Sequence, residues 1–133
     1  MELTVKQQQG IYLIEASGDL DITGSIQLKD VFMKLLQNTA ERFIISLKGV
    51  RFMDSSGIGA LLFIASTVKK MALDGEQVSG KQVPWERVPF VLIDVQEPVR
   101  LVIERTKLSD YLPITTKLPD ALANMEPEDI PEL

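Results

Sequence analysis

The chain has 133 residues, a length that suits one domain with a single hydrophobic core. Its net charge of −5 disfavours nucleic acid as a main partner, because binding a phosphate backbone needs a basic face. It contains no His and no Cys, which excludes Ser-His-Asp and Cys-His nucleophiles, an ordinary zinc site and disulfides. Since no apolar run reaches the length of a membrane span, we expect a cytoplasmic binding protein, without enzymatic activity, cofactor or membrane insertion.

The first third of the chain predicts a hairpin, a helix and a buried strand. Apolar residues alternate on both sides of Gly10, which indicates two strands, the second ending near Ser17. Apolar residues then recur at helical spacing, with Ser25 as the expected N-cap and Asn38 near the helix end. The apolar run at 43–47 is typical of a central strand that is buried on both faces.

The remainder predicts further helices and strands in alternation. A second helical stripe starts at Ile58, and Gly75 can end this helix. Residues 90–93 predict another buried strand, and Pro98 can start the helix that follows. A short edge strand at 112–114 comes next, because its proline cannot donate to a central ladder.

This element order predicts the fold class and the domain limits. Strands that alternate with helices indicate an α/β fold, with a mostly parallel or mixed sheet of four or five strands that opens with a β-hairpin. About four helices pack on it, the last at 119–125. We place the domain at 1–124, with an inserted loop at 75–89, and expect an acidic, Pro-rich, disordered tail at 125–133.

The turn between the predicted central strand and the second helix reads Asp54-Ser55-Ser56-Gly57. Asp and Ser are preferred N-caps and Gly permits a tight entry, so helix capping alone explains these residue types. A phosphate on either hydroxyl would meet backbone N–H donors at the positive end of the helix dipole. The spacing by itself leaves both serines open as the modified residue.

Three more residues are candidates for the same site. Asp19 and Asp21 follow the predicted hairpin, and loops after parallel strands share one edge of a sheet, so we expect them beside the Asp54 turn. Their spacing favours turn and cap chemistry over a catalytic carboxylate pair, because no sugar cleft is indicated. Phe63 lies off the main apolar stripe of its helix, which indicates either a broad buried face or an exposed patch for a partner.

Three phrases of the sequence carry a family resemblance: Gly18-Asp19-Leu20-Asp21, the stretch 49–59 that contains F-M-D-S-S-G-I-G, and Phe90-Val91-Leu92-Ile93. They are similar to phrases of the STAS domain family, and more narrowly of bacterial anti-sigma-factor antagonists, over residues 2–124. The resemblance implies that a serine kinase, itself the anti-sigma factor, phosphorylates Ser56. It also implies that the unphosphorylated protein binds this kinase and releases the sigma factor, and that a PP2C-type phosphatase resets the switch.

The resemblance places Asp21 near the phosphoserine and matches Asp54 and Ser55 to the remaining turn positions. We also assign Asp19, Gly57 and Phe63 to the surroundings of the phosphosite and the partner surface, Phe63 because it lies about two turns from Ser56. A second function stays open, that of a STAS scaffold without a switch in a signalling assembly or a lipid-transport ATPase. The sequence departs from the family at Gly24, where Thr is frequent, and at Thr106-Lys107-Leu108, where T-G-L is common. The oligomeric state also stays open, as monomer or weak dimer.

Overall fold

The computed structural model describes residues 1–8, 10–37, 42–72, 90–108, 111–112 and 114–115. Strands and helices alternate in this part of the chain after an opening hairpin. In chain order the elements are β1 (Glu2–Gln8), β2 (Ile11–Leu20), α1 (Ile22–Leu35), β3 (Arg42–Met53), α2 (Ser55–Ala72), β4 (Phe90–Ile93), α3 (Glu97–Arg105) and β5 (Ile114–Thr115). The predicted α/β fold is therefore confirmed.

The strands form one mixed sheet in the order β1-β2-β3-β4-β5. β1 pairs antiparallel with β2, and the turn between them contains Gly10 at a φ of 77°, a conformation that glycine adopts without strain. The remaining neighbours pair in parallel. Each crossover leads to the next strand in the same direction, so the right-handed rule places the three described helices on one face of the sheet.

The core has a large part under the helices and a smaller part on the opposite face. Under the helices, Ile45 of β3 packs in one cluster with Phe32 of α1 and Ile64 of α2. On the opposite face, Ile44 is buried with Leu13 and other aliphatic residues. β3 is therefore a central strand that is buried on both faces, as its apolar run predicts.

Two strands are longer than their apolar runs predict. β2 was expected to end near Ser17 and β3 near residue 47, but they continue to Leu20 and Met53. These added segments pair with each other in an irregular register. They contain few apolar side chains, so backbone hydrogen bonds between the two strands hold them in place. Because β4 pairs only with residues 43–46 of β3 and β1 pairs with β2 only up to Ser17, residues 18–20 and 50–53 form a two-stranded extension.

The N-terminus of α1 also differs from the prediction. Ser25 was the expected N-cap, but the helix begins at Ile22 and its N-cap is Asp21. The reason is the greater length of β2, which continues to Leu20 and leaves Asp21 as the single residue between strand and helix. Ser25 therefore lies inside the helix, 3% exposed, and its Oγ has no hydrogen-bond partner in the described part of the chain.

The later elements agree with the sequence in part. β4 spans the predicted 90–93 run, and α3 carries Pro98 in its first turn. An edge strand was expected at 112–114; the strand paired with β4 is Ile114–Thr115, which shares only Ile114 with that prediction. The loop at 75–89, the helix at 119–125 and the tail at 125–133 lie outside the described residues. No helix of the described ranges is long and apolar enough to cross a membrane.

Candidate functional site

Two aspartates cap two helices at one edge of the sheet. The Asp21 Oδ1 atom accepts a hydrogen bond of 2.9 Å from the backbone N–H of Gly24 in α1. The Asp54 Oδ1 atom accepts from the backbone N–H groups of Ser56, at 2.9 Å, and Gly57, at 3.2 Å, in α2. Each carboxylate thus accepts hydrogen bonds from backbone N–H groups that have no partner within the first turn of the helix. The capping role that the residue types favour is therefore found at Asp54, and at Asp21 where the N-cap was expected at Ser25.

The sheet register brings the two caps together. Leu20 and Met53, which immediately precede the two aspartates, are paired residues of β2 and β3. The backbone N–H of Asp54 also donates to the Leu20 carbonyl at 3.4 Å. Neighbouring strands lie about 4.8 Å apart, so the two helix N-termini start side by side. The loops after β2 and β3 share one edge, as the sequence predicts.

Two glycines allow both helices to begin this close to β2. A Cβ atom on Gly24 would lie 2.3 Å from the Asp19 carbonyl oxygen, and one on Gly57 would lie 2.5 Å from the Leu20 carbonyl oxygen. Either distance is shorter than a van der Waals contact. The sequence pattern Asp-x-x-Gly occurs at both helix starts, and both starts have this same geometry.

The two serines occupy the first two positions of α2. Ser55 is exposed and Ser56 is partly exposed, so both hydroxyls are accessible at the edge that carries the caps. The sequence analysis expected a phosphate here to meet free backbone donors. The structure corrects this expectation, because Asp54 already accepts from the N–H groups of Ser56 and Gly57. Any added phosphate would share these donors with a carboxylate.

Phe63 belongs to an exposed patch, while its neighbour Ile64 is fully buried. The Phe63 side chain is 42% exposed. Its ring packs edge-to-face with the ring of Phe32 in α1, with 6.4 Å between the two ring centroids. The Lys29 Nζ atom lies 5.9 Å from the Phe63 ring centroid. The Phe63 side chain of α2 therefore lies against α1 on the solvent side of the two helices, where a partner can reach it.

Sequence reasoning missed three exposed apolar residues of α1. Ile22, Ile26 and Met33 are 65%, 53% and 47% exposed. Their spacing of four and seven residues puts them on one side of the helix, away from the buried stripe, and this pattern could have identified them. With Phe63 they form a surface that we call the α1–α2 face. It begins directly after the Asp21 cap.

The remaining candidate, Asp19, is exposed on the two-stranded extension and pairs with Phe52, which is also exposed. The acidic side chains at this edge do not form a metal site. Across the described ranges, no group of three or more His, Cys, Asp or Glu residues is placed to hold an ion. The edge therefore offers accessible hydroxyls, negative charge and an apolar surface, which suits protein binding and modification.

Comparisons with known proteins agree with this fold. The family model of the STAS domain matches residues 2–74. The chain is 24% identical to the anti-sigma F factor antagonist of Paenibacillus polymyxa over 127 residues, which cover 95% of this chain and 96% of that protein. A putative anti-sigma factor antagonist of Thermotoga maritima has the same fold, with a TM-score of 0.68, 20% identity and 92% of each chain covered.

A further solved structure is the phosphorylated form of the Bacillus cell fate determinant SpoIIAA. Its TM-score is 0.60 at 18% identity, with 86% of this chain and 92% of that chain covered. At these identities the likeness to the two structures establishes the fold alone. Because the family model matches more than half of the chain, the protein belongs to the STAS domain family.

Proposed function

We propose that this protein is an anti-sigma-factor antagonist that works by partner switching. Its unphosphorylated form binds an anti-sigma-factor serine kinase and so releases a sigma factor, and phosphorylation of Ser56 ends that binding. The observation that carries this proposal is the position of Ser56, a partly exposed residue between two capping aspartates and the exposed α1–α2 face. The name of the Paenibacillus relative and the phosphorylated state of SpoIIAA support it.

Helix geometry favours Ser56 over Ser55 as the phosphorylated residue. Residues seven apart lie on the same side of a helix, so Ser56 is aligned with Phe63 two turns further on, about 10.5 Å away along the axis. Ser55 is rotated away from that line by about one residue step, or 100°. A phosphate on Ser56 would therefore lie within a partner interface that includes Phe63.

Charge explains why phosphorylation would weaken binding. A phosphoserine adds a charge of about −1.5 to −2. The nearest backbone donors are already bonded to the Asp54 carboxylate, and Asp21 lies at the same edge. At an effective dielectric of about 20, two like charges 4 Å apart repel by ~4 kcal/mol. This repulsion also exists in the free protein, so it opposes binding when a partner closes over the edge, removes water from it and holds the phosphate beside the aspartates. A partner that binds this edge would be released.

The proposed partners are those that the resemblance to anti-sigma-factor antagonists implies. The kinase that phosphorylates Ser56 is also the protein that the unphosphorylated surface binds, and a PP2C-type phosphatase restores the binding form. Residues Asp19, Asp21, Asp54, Ser55 and Gly57 shape the edge around the hydroxyl, while Phe63 supplies apolar contact. The protein itself needs no catalytic group for this function.

The test is phosphate mapping of the protein purified from its native cells, during growth and under stress. We expect one phosphate on the wild type and on Ser55→Ala, and none on Ser56→Ala. The Ser55→Ala variant is the matched control, because it removes a neighbouring hydroxyl from the same helix turn. Phosphate that persists on Ser56→Ala would contradict the site, and its complete absence from the wild type would favour the scaffold function.

A further inference from the structure

The α1–α2 face is acidic at one end and basic at the other. Both helices follow parallel strands of one sheet, so they run in the same direction. The N-termini carry Asp21 and Asp54, whereas the last turn of α2 carries Lys70, which is seven residues after Phe63 and therefore on the same side of the helix. Lys34, in the last turn of α1, is about 100° from the line of Ile22, Ile26 and Met33 and lies outside the face. Opposite charges therefore stand at opposite ends of the same surface.

The exposed apolar residues lie between these charged ends. Phe63 is nine residues after Asp54 and seven before Lys70, which places it about 13.5 Å and 10.5 Å from them along the helix axis. Gly59 lies one turn before Phe63, is exposed, and has nothing within 4 Å of the position that a Cβ atom would occupy. The centre of the face is thus an apolar side chain with the Lys29 ammonium 5.9 Å from its ring centroid, beside a point where another backbone can approach closely.

We propose that the α1–α2 face binds a second copy of this chain in an antiparallel, two-fold symmetric arrangement. A two-fold interface presents the same surface from both copies. With the helices antiparallel across the axis, the acidic end of each copy meets the basic end of the other, and the two Phe63 rings meet near the axis. A parallel arrangement would instead oppose aspartate to aspartate and lysine to lysine.

This charge pattern favours a second copy of the chain as the partner, because the same surface carries both the negative and the positive charges that would pair across the interface. The apolar centre consists of the four side chains that define the face, which is small for a permanent dimer. We therefore expect a dissociation constant of about 100 µM, as for weak, transient contacts. The dimer would cover the Ser56 edge, so self-association and binding of another protein there would exclude each other.

Sedimentation velocity of the full chain, from ~10 µM to ~1 mM, tests the proposal across the expected dissociation constant. The wild type should shift from monomer to dimer over this range. Phe63→Glu should remain monomeric, and Lys70→Glu should weaken the dimer at least fivefold. Ser56→Glu should instead strengthen the dimer two- to fivefold, because the added charge faces Lys70 of the second copy.

Lys48→Glu is the matched control, since it makes the same charge change on an exposed residue of β3, outside the α1–α2 face. It should dimerise like the wild type. A wild type that stays monomeric at every concentration would overturn the proposal, as would equal effects of Lys70→Glu and Lys48→Glu. The self-association does not depend on phosphorylation of Ser56 in cells. Phosphate mapping therefore tests the proposed switch, and sedimentation tests the dimer, each without bearing on the other.

Discussion

Asp21 and Asp54 cap the N-termini of two neighbouring helices in the same way. Each carboxylate accepts a hydrogen bond from the backbone N–H three residues later, that of Gly24 at 2.9 Å and that of Gly57 at 3.2 Å. The strands that end before them are paired, so the two caps stand side by side. One arrangement thus stabilises both helix N-termini and makes the edge acidic where Ser56 is exposed.

The first prediction separates the two roles of Asp54. Asp54→Ala should lower the free energy of unfolding by about 1 kcal/mol, because the N–H groups of Ser56 and Gly57 lose their acceptor. Asp54→Asn should stay within about 0.5 kcal/mol of the wild type, since Asn caps as well as Asp does. Urea unfolding measures both variants. Equal losses would contradict the capping role and would point to the negative charge instead.

The second prediction compares two glycines in the first turns of α2. Gly57→Ala should destabilise the protein by about 1–3 kcal/mol, because its Cβ would lie 2.5 Å from the Leu20 carbonyl oxygen. Gly59→Ala should stabilise it by about 0.5–1 kcal/mol, since the site is open and Ala is the better helix former. Thermal unfolding of both variants gives the signs. Stabilisation by Gly57→Ala would contradict the close packing of α2 on β2.

A third prediction concerns the buried hydroxyl of Ser25. Its Oγ has no hydrogen-bond partner in the described residues, so Ser25→Ala should raise the free energy of unfolding by about 1 kcal/mol. Ser46 is the matched control, because it is equally buried and its Oγ accepts from the Lys48 N–H at 3.4 Å. Ser46→Ala should lower stability by about 0.5–1 kcal/mol. A loss of stability in Ser25→Ala would show that the hydroxyl has a partner.

The fourth prediction concerns the end of α3, where the sequence has Lys107 in place of a common glycine. Lys107 has a φ of 58°, and the N–H groups of Lys107 and Leu108 donate to the carbonyls of Glu104 and Ile103. This is a Schellman motif, whose left-handed position favours glycine. Lys107→Gly should therefore stabilise the protein by ~0.5–1 kcal/mol. Lys107→Ala keeps the strain and should not, so equal gains in unfolding experiments would refute this explanation.

The sequence predicted the elements that depend on apolar periodicity. β3 and β4 contain continuous apolar runs, and α1 and α2 carry regular buried stripes, so their existence and order follow from the residues alone. The ends of β2 and β3 could not be predicted in this way. Polar residues such as Lys48 and Arg51 continue β3 because β2 pairs beside them, and this tertiary pairing leaves no local signal.

The error at α1 follows from the same cause. Asp21 and Ser25 are both good N-caps, and only the length of β2 decides between them. Within the site, the turn at Asp54 was predictable because its residue types suit one local structure. The α1–α2 face was not predicted in full, because the sequence analysis followed only the buried stripe of α1 and did not consider Ile22, Ile26 and Met33.

The two-stranded extension beyond β4 sets the local stability of the site. Residues 43–46 of β3 have a strand on each side, whereas in the described ranges residues 50–53 have one only on the β2 side. Backbone amides of the extension should therefore exchange with deuterium sooner than those at the centre of the sheet. The two caps thus lie at an end of the sheet that should open more readily than its centre, so binding or modification there can alter local order while the core stays folded.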